Sequence, residues 1–298
     1  MNKRIFAYTI ILLLLIFGLK LFFSSKNLTP EHFKPKEILN PYIHIVMYAI
    51  YGTNNIKIYN QNGDVKLKNL IFETSCMDHI LELKEVKQLL NDKIFNRHSE
   101  FEKCTVEVNF NDKEFIIQTK FRENTINAKV DLTIRLMNSK TQVDEICTTN
   151  GNIFINDITK DIKATTDSGE IEVINSKCFV ELYNKNGNIN VIDTEGITSI
   201  IVDNGTINAE IQNITSETKL INKNGNINIK VPHNLNANIE IEADEKSIKN
   251  QTNFLKLSKY NNIFKGSIGS GSNLMRIKAI NGQINIDEKV TFSLNKPK

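Results

Sequence analysis

Five carboxylates, Asp157, Asp161, Asp167, Glu170 and Glu172, fall within one 16-residue stretch. Acids at such density could line a sugar-cleaving groove of the kind found in β-helical polysaccharide enzymes. One carboxyl would protonate the leaving oxygen while a second activates water or attacks carbon. That chemistry needs a pair at a defined separation, and acids on solvated strand faces meet the separation by chance. These five read as solvated positions, and no catalytic residue is assigned. The histidines His32, His44, His79, His98 and His233 are scattered. The chain has no nucleophile elbow, P-loop, dinucleotide fingerprint or zinc-protease motif. Gly269-Ser270-Gly271 lacks the lysine and the strand–helix setting of a phosphate loop, so it reads as a flexible link. The Asn-x-Thr triplets at Asn204 and Asn213 read as turn composition. The residues imply no cofactor.

The cysteines are Cys76, Cys104, Cys147 and Cys178. Without a C-x-x-C motif, a structural zinc site has no ligand set. Cys76 and Cys104 flank a segment predicted to be helical and could pair as a disulfide. Cys147 and Cys178 are 31 residues apart, which does not match the repeat described below, so they read as unpaired, half-buried thiols.

The elements that would position these groups come from turns. Six Asn-Gly pairs occur: Asn62-Gly63, Asn150-Gly151, Asn186-Gly187, Asn204-Gly205, Asn224-Gly225 and Asn281-Gly282. Ser168-Gly169 fills the one gap in the regular run. Gly151, Gly169, Gly187 and Gly205 are each 18 apart, and Gly225 follows after 20. A shorter beat lies beneath. Ile153, Ile162, Ile171, Val180, Ile189, Thr198 and Ile207 are nine apart, and Ile155, Ala164, Val173, Leu182, Val191, Ile200 and Ala209 follow two residues later. Residues i and i+2 face one side of a strand. Each nonapeptide is then one short strand, and two make an 18-residue coil with Asn-Gly at one of its two corners.

Asn-Gly between alternating strands also signals hairpins, so a meander or sandwich is the alternative. Constant spacing favours a β-solenoid, because stacked coils need one residue count per rung and hairpins do not. Like residues then align at ~4.8 Å, which lets asparagines hydrogen-bond in ladders. A left-handed hexapeptide helix is excluded, since six after Ile171 is Lys177 and six before it is Thr165. A calcium roll is excluded because the second corner reads Asn175-Ser176-Lys177-Cys178.

At the N-terminus, Ile5–Phe23 is apolar apart from Thr9, Gly18 and Lys20. As a helix it spans about 28 Å, close to a bilayer core. Lys3 and Arg4 precede it, which places the N-terminus in the cytoplasm and exports the rest. A cleaved signal peptide is the alternative, but no small-x-small site follows. Lys3, Arg4, Lys20 and Lys26 precede every acidic residue, so the remainder carries 33 basic against 34 acidic residues. That balance gives no broad footprint for nucleic acid.

The expected architecture is all-β: a β-solenoid with one helical insertion and an N-terminal transmembrane helix. The expected segments are an anchor over 1–26, a juxtamembrane connector over 27–54, lead-in strands over 55–145, and the repeat domain over 146–290. Within the lead-in, Leu83, Val86, Leu90 and Ile94 share one helical face, predicting an amphipathic helix near 78–97. Structural turn positions are Asn150, Gly151, Gly169, Asn186, Gly187, Asn204, Gly205, Asn224, Gly225, Asn281 and Gly282.

The units Thr148–Ile153, Asn184–Ile189 and Asn222–Ile227, the strand ending Val231-Pro232 and the closing Gly269-Ser270-Gly271-Ser272 resemble the bacterial putative-adhesin domain family of β-strand repeat proteins. The resemblance covers about residues 126–287, with an echo at 54–70. It implies an envelope-exposed β-solenoid, often on a membrane anchor, and no particular binding residues. The chain departs from the pattern at 78–97 and at Asp244-Glu245-Lys246, where a further glycine turn is expected.

The expected role is a membrane-anchored, outward-facing adhesin or structural envelope module without catalysis. Its partners would be the membrane and glycans, envelope polymers or an envelope protein, and not nucleic acid. An envelope-stress or regulatory accessory protein is the alternative, and a polysaccharide-processing enzyme is a third reading.

Overall fold

The computed structural model describes residues 43–49, 55–69, 80–89, 104–110, 114–122, 128–136 and 142–289. The expected transmembrane helix, most of the connector and Cys76 lie outside the described residues. Among the described residues, no helix is long and apolar enough to cross a membrane.

Strands dominate, and they stack in parallel. The regular part runs through β8 (Val143–Asn150), β9 (Ile153–Asn156), β10 (Ile162–Ser168), β11 (Ile171–Asn186), β12 (Ile189–Asn204), β13 (Ile207–Glu210), β14 (Thr218–Asn224) and β15 (Ile227–Val231). Each glycine corner joins a strand of one face to a strand of the opposite face. In the first face, β8, β10, the C-terminal half of β11, the C-terminal half of β12 and β14 pair in parallel. In the second, β9, the N-terminal half of β11, the N-terminal half of β12, β13 and β15 do the same. The long strands β11 and β12 bend round the second corner and belong to both faces. Parallel stacking excludes the hairpin alternative for this run.

The nonapeptide positions are the core. All of them are buried except Thr198, which is exposed. At that point β12 carries a bulge, and Ile197 turns inward against Val180 instead. A bulge inserts one unpaired residue and lets the strand recover its register. Each buried Ile or Leu contributes roughly 1.5–3 kcal/mol. A single coil has no second layer to bury them, so stability comes from the stack.

The spatial order of the rungs departs from the chain order at both ends. β2 (Asn55–Asn62) and β3 (Val65–Asn69) form a rung that stacks on β8 and β9. The next rung outward is β6 (Glu114–Phe121) with β7 (Ala128–Leu136), whose residues stack on partners 59 and 67 positions earlier, Phe115 on Ile56 and Leu132 on Val65. At the other end, β20 (Asn273–Asn281) and β21 (Ile284–Glu288) stack directly on β14 and β15. The earlier strands β16 (Ala237–Glu242) and β17 (Ile248–Asn250) are pushed outside them. The sheet therefore continues across the expected boundary at 145–146.

The helix expected near 78–97 is absent where the structure describes that interval. Ile80–Leu89 is instead strand β4, antiparallel to β7 on one side and to β1 (Ile43–Ala49) on the other. The reason lies in competing periods. Leu81 and Leu83 are two apart and both fully buried. Two flanking strands satisfy the β4 backbone along nearly its whole length, which a helix could not use. Antiparallel strands also close the first face: β5 (Cys104–Phe110) on β6, and β19 (Ile263–Ile268) on β16 with β18 (Ser258–Tyr260) beyond it.

Candidate binding surface

The turn residues form a spine. Gly63, Gly151, Gly169, Gly187, Gly205, Gly225 and Gly282 stack one per rung. A Cβ on any of Gly151 to Gly282 in this series would sit 1.8–2.1 Å from the carbonyl oxygen of the glycine before it. Beside them runs an asparagine ladder. Asn204 donates to Asn186 Oδ1 at 3.0 Å, Asn224 to Asn204 at 3.0 Å, and Asn281 to Asn224 at 2.9 Å. The main chain runs parallel to it, with the Asn150 backbone carbonyl accepting from the Gly63 N–H at 2.8 Å. Asn281-Gly282 and Asn62-Gly63 join this spine from 57 and 88 residues away respectively.

Two further rows support the corners and carry a sequence signal that turn reading passes over. Asn60, Thr148, Thr166, Asn184 and Asn222 are buried polar residues, each two before the turn Asn or Ser. Thr166, Asn184 and Asn222 donate to the carbonyls of Gly151, Gly169 and Gly205 at 3.1, 2.8 and 2.9 Å. At the second corner, Asp157, Asn175 and Asp193 repeat every 18 residues with φ of 60°, 50° and 50°. Asp and Asn tolerate this left-handed conformation better than other side chains. In the outermost rung, Asp244 caps a short 3-10 turn over Glu245–Ser247, in place of a glycine corner.

The two outward faces differ in chemistry. The first carries alternating charge: Lys57 pairs with Glu114 at 2.6 Å, Lys163 with Glu181 at 3.6 Å, Arg276 with Glu217 at 2.8 Å, and Lys265 with Glu240 at 2.7 Å. Asp203 accepts from Tyr183 Oη and pairs with Lys223. The Lys223 ammonium holds the Asp203 carboxyl below the usual carboxylate range, and Lys265 does the same for Glu240. The second face carries amides. Asn208 donates to Asn190, Asn228 to Asn208 and Asn285 to Asn228, each at 2.7 Å.

The five candidate carboxylates do not converge on one cleft. Asp157 sits at the second corner. Asp161 accepts the Phe179 backbone N–H at 2.9 Å. Asp167 is exposed next to the glycine corner. Glu170 accepts from Asn188 at 3.1 Å. Glu170 and Glu172 share a concavity, an open groove of about 350 Å³ on the amide-bearing side lined also by Asp64, Lys66, Asn152, Ile153 and Phe154. Among the described residues, no group of three or more His, Cys, Asp or Glu side chains could hold a metal ion. His233 is exposed, and His32, His79 and His98 lie outside the described residues. Gly269-Ser270-Gly271 is a tight turn between two strands, with Ser270 Oγ donating to Asn236 at 2.7 Å.

Cys104 is buried at the start of β5, and its expected pairing with Cys76 involves a residue outside the described set. Cys147 is half-buried and Cys178 buried, both as thiols. Burial pushes the Cys147 thiol up to about 11 and the Cys178 thiol up to about 12. At pH 8 a thiol with pKa near 11 is only ~0.1% thiolate, the reactive form. Iodoacetamide at pH 8 should leave both residues unmodified over a time that fully alkylates free cysteine. Both should react in concentrated guanidinium, with sites read by peptide mass spectrometry. Rapid native labelling of Cys178 would contradict its placement in the core.

Residues 44–287 match the family model described as Toastrack DUF4097. Among solved structures, the chain is similar to a putative cell adhesion protein from Clostridium sporogenes: 16% identity over 84% of this chain and 100% of that one, with a TM-score of 0.34. It is similar to a putative adhesin from Bacteroides fragilis at 12% identity over 84% and 98%, with a TM-score of 0.40. A putative adhesin from Parabacteroides distasonis is 12% identical over 83% and 97%, with a TM-score of 0.31. No curated protein matches the chain.

Proposed function

The chain belongs to the Toastrack DUF4097 family, and from its two repeating polar faces we propose a non-enzymatic adhesion or structural module, held at a membrane and facing outward. The observation that carries this reading is the in-register row Asn190, Asn208, Asn228 and Asn285. It repeats one amide per rung at ~4.8 Å, a periodic donor and acceptor surface suited to a polymer with repeating hydroxyl groups. Contacts of this kind are weak singly and gain strength by multivalency. The tether is the apolar run Ile5–Phe23 behind Lys3 and Arg4. Absence of catalysis is supported by the dispersal of the five carboxylates over corners and faces.

The test is retention of envelope polysaccharide by the full chain in lipid nanodiscs, with reducing ends assayed in parallel. Retention without new reducing ends is the expected result. Accumulating reducing ends would replace this reading with a polysaccharide-processing enzyme. Tyr260, 69% exposed on the edge strand β18, favours a second reading in which one envelope protein docks at the C-terminal cap. In that case polysaccharide would wash through, and Tyr260→Ala would release the captured protein.

A further inference from the structure

The amide row on the second face stops partway along the stack. Following the strand register, the column reads Thr133, Lys66, Phe154, Glu172, Asn190, Asn208, Asn228, Asn285 and Lys249. Asn190, Asn208, Asn228 and Asn285 bond to one another, each step using one amide N–H and one Oδ1 lone pair and leaving the second of each for a ligand. At the rungs of Glu172, Phe154 and Lys66 the column turns from amides to a carboxylate, an aromatic ring and a cation. The stack does not require a ring there: equivalent positions hold Thr, Lys, Glu or Asn, and the core residue Ile155 points the other way. Phe154 is half-buried on an outward face and sits within the groove, flanked along the column by Lys66 and Glu172.

The neighbouring groups fit the rim of such a site. Asp64 accepts the Asn152 backbone N–H at 2.9 Å, and Glu170 accepts from Asn188 at 3.1 Å. Both side chains are thus held in place by the ladder. A carboxylate offers about four acceptor positions, so one such bond leaves capacity for a ligand. Asp64, Glu170 and Glu172 against Lys66 give the groove a net formal charge of two negatives. It would repel a polyanion.

We infer that this groove is a glycan subsite in which Phe154 stacks against one sugar ring while Asp64, Glu170 and Glu172 accept from its hydroxyl or amino groups. A pyranose presents an apolar C–H face and a polar edge, which matches a flat ring bordered by acceptors. The negative charge selects neutral or amino-sugar oligomers over acidic ones. The inference rests on the reading of this protein as a glycan-facing module and adds where, and to which class of sugar, it binds.

The test is calorimetric titration of the full chain in nanodiscs with three probes: cellotetraose, a glucosamine tetramer and a galacturonate tetramer. The first two should bind, and the acidic tetramer should bind at least about tenfold more weakly. Phe154→Ala should weaken the first two about tenfold, and Phe154→Leu, which keeps an apolar side chain, should still weaken them severalfold. Glu172→Gln should lower the glucosamine tetramer more than cellotetraose. Matching melting curves for wild type and Phe154→Leu would show that the fold is intact. Wild-type binding that survives both Phe154 variants would overturn this site while leaving the glycan-facing reading standing. So would tightest binding of the galacturonate tetramer. Failure of wild type to bind any of the three probes or envelope polysaccharide would overturn both.

Discussion

Replacing Gly187 by alanine should destabilise the stack by roughly 4 kcal/mol or more, enough to lower the melting temperature by about 10 °C. Two costs combine. Gly187 has φ of 143°, a conformation that side chains rarely adopt, and its Cβ would lie 1.8 Å from the Gly169 carbonyl oxygen. That oxygen cannot retreat. The Gly169 N–H is bonded to Asn186 O at 3.1 Å and the Gly187 N–H to Asn204 O at 2.8 Å, so the rung spacing is set by the backbone itself. Gly196→Ala is the control. The atoms nearest its Cβ belong to the Phe179 ring, a side chain that can turn aside, and the cost should be nearer 1–2 kcal/mol. Thermal melts by circular dichroism compare the two. If Gly187→Ala melts within a degree or two of wild type, the glycine spine is not what sets the spacing.

Inserting one alanine between Asn184 and Lys185 should abolish cooperative folding, whereas one alanine between Thr215 and Ser216 should change stability by under about 1 kcal/mol. The first insertion falls in a strand whose Val180, Leu182 and Asn184 are buried. A shift of one residue turns every side chain of a strand to the opposite face. Either these three rotate outward, or the Asn186-Gly187 corner leaves the spine between Gly169 and Gly205. Exposing Val180 and Leu182 alone costs about 3–6 kcal/mol. The second insertion falls in the corner spanning 211–217, where Thr215, Ser216 and Glu217 are exposed. The protein already carries two extra residues across that interval, since Gly205 and Gly225 are 20 apart where the other steps are 18. Urea denaturation of both variants decides the matter. Equal losses from the two insertions would mean that the corners are not distinct in tolerance.

Much of this architecture is readable from one dimension. The nonapeptide positions locate the core because a strand alternates its faces, and the Asn-Gly pairs locate a corner because that corner repeats on every rung. Thr198 breaks the beat, and the structure resolves it locally by turning Ile197 inward. The supporting rows at Asn60, Thr148, Thr166, Asn184 and Asn222, and at Asp157, Asn175 and Asp193, were also written in the repeat. They pass unnoticed when only apolar positions and glycines are counted. The groove around Phe154 shows only once the column from Lys66 to Asn285 is assembled, because Lys66 and Phe154 are 88 residues apart.

By itself the sequence determined the rung: its length, its inward side chains, its glycine corner and the identity of the repeated amide. Those depend on local geometry, the two-residue period of a strand and the backbone freedom of glycine. Only the tertiary structure decided which rung lies on which, and what closes the ends. Backbone hydrogen bonds between parallel strands read no side chain, so rung 55–69 can accept rung 114–136 on one side and β8 and β9 on the other. For the same reason Ile80–Leu89, whose apolar spacing also suits a helix, became a strand once β1 and β7 offered it two edges.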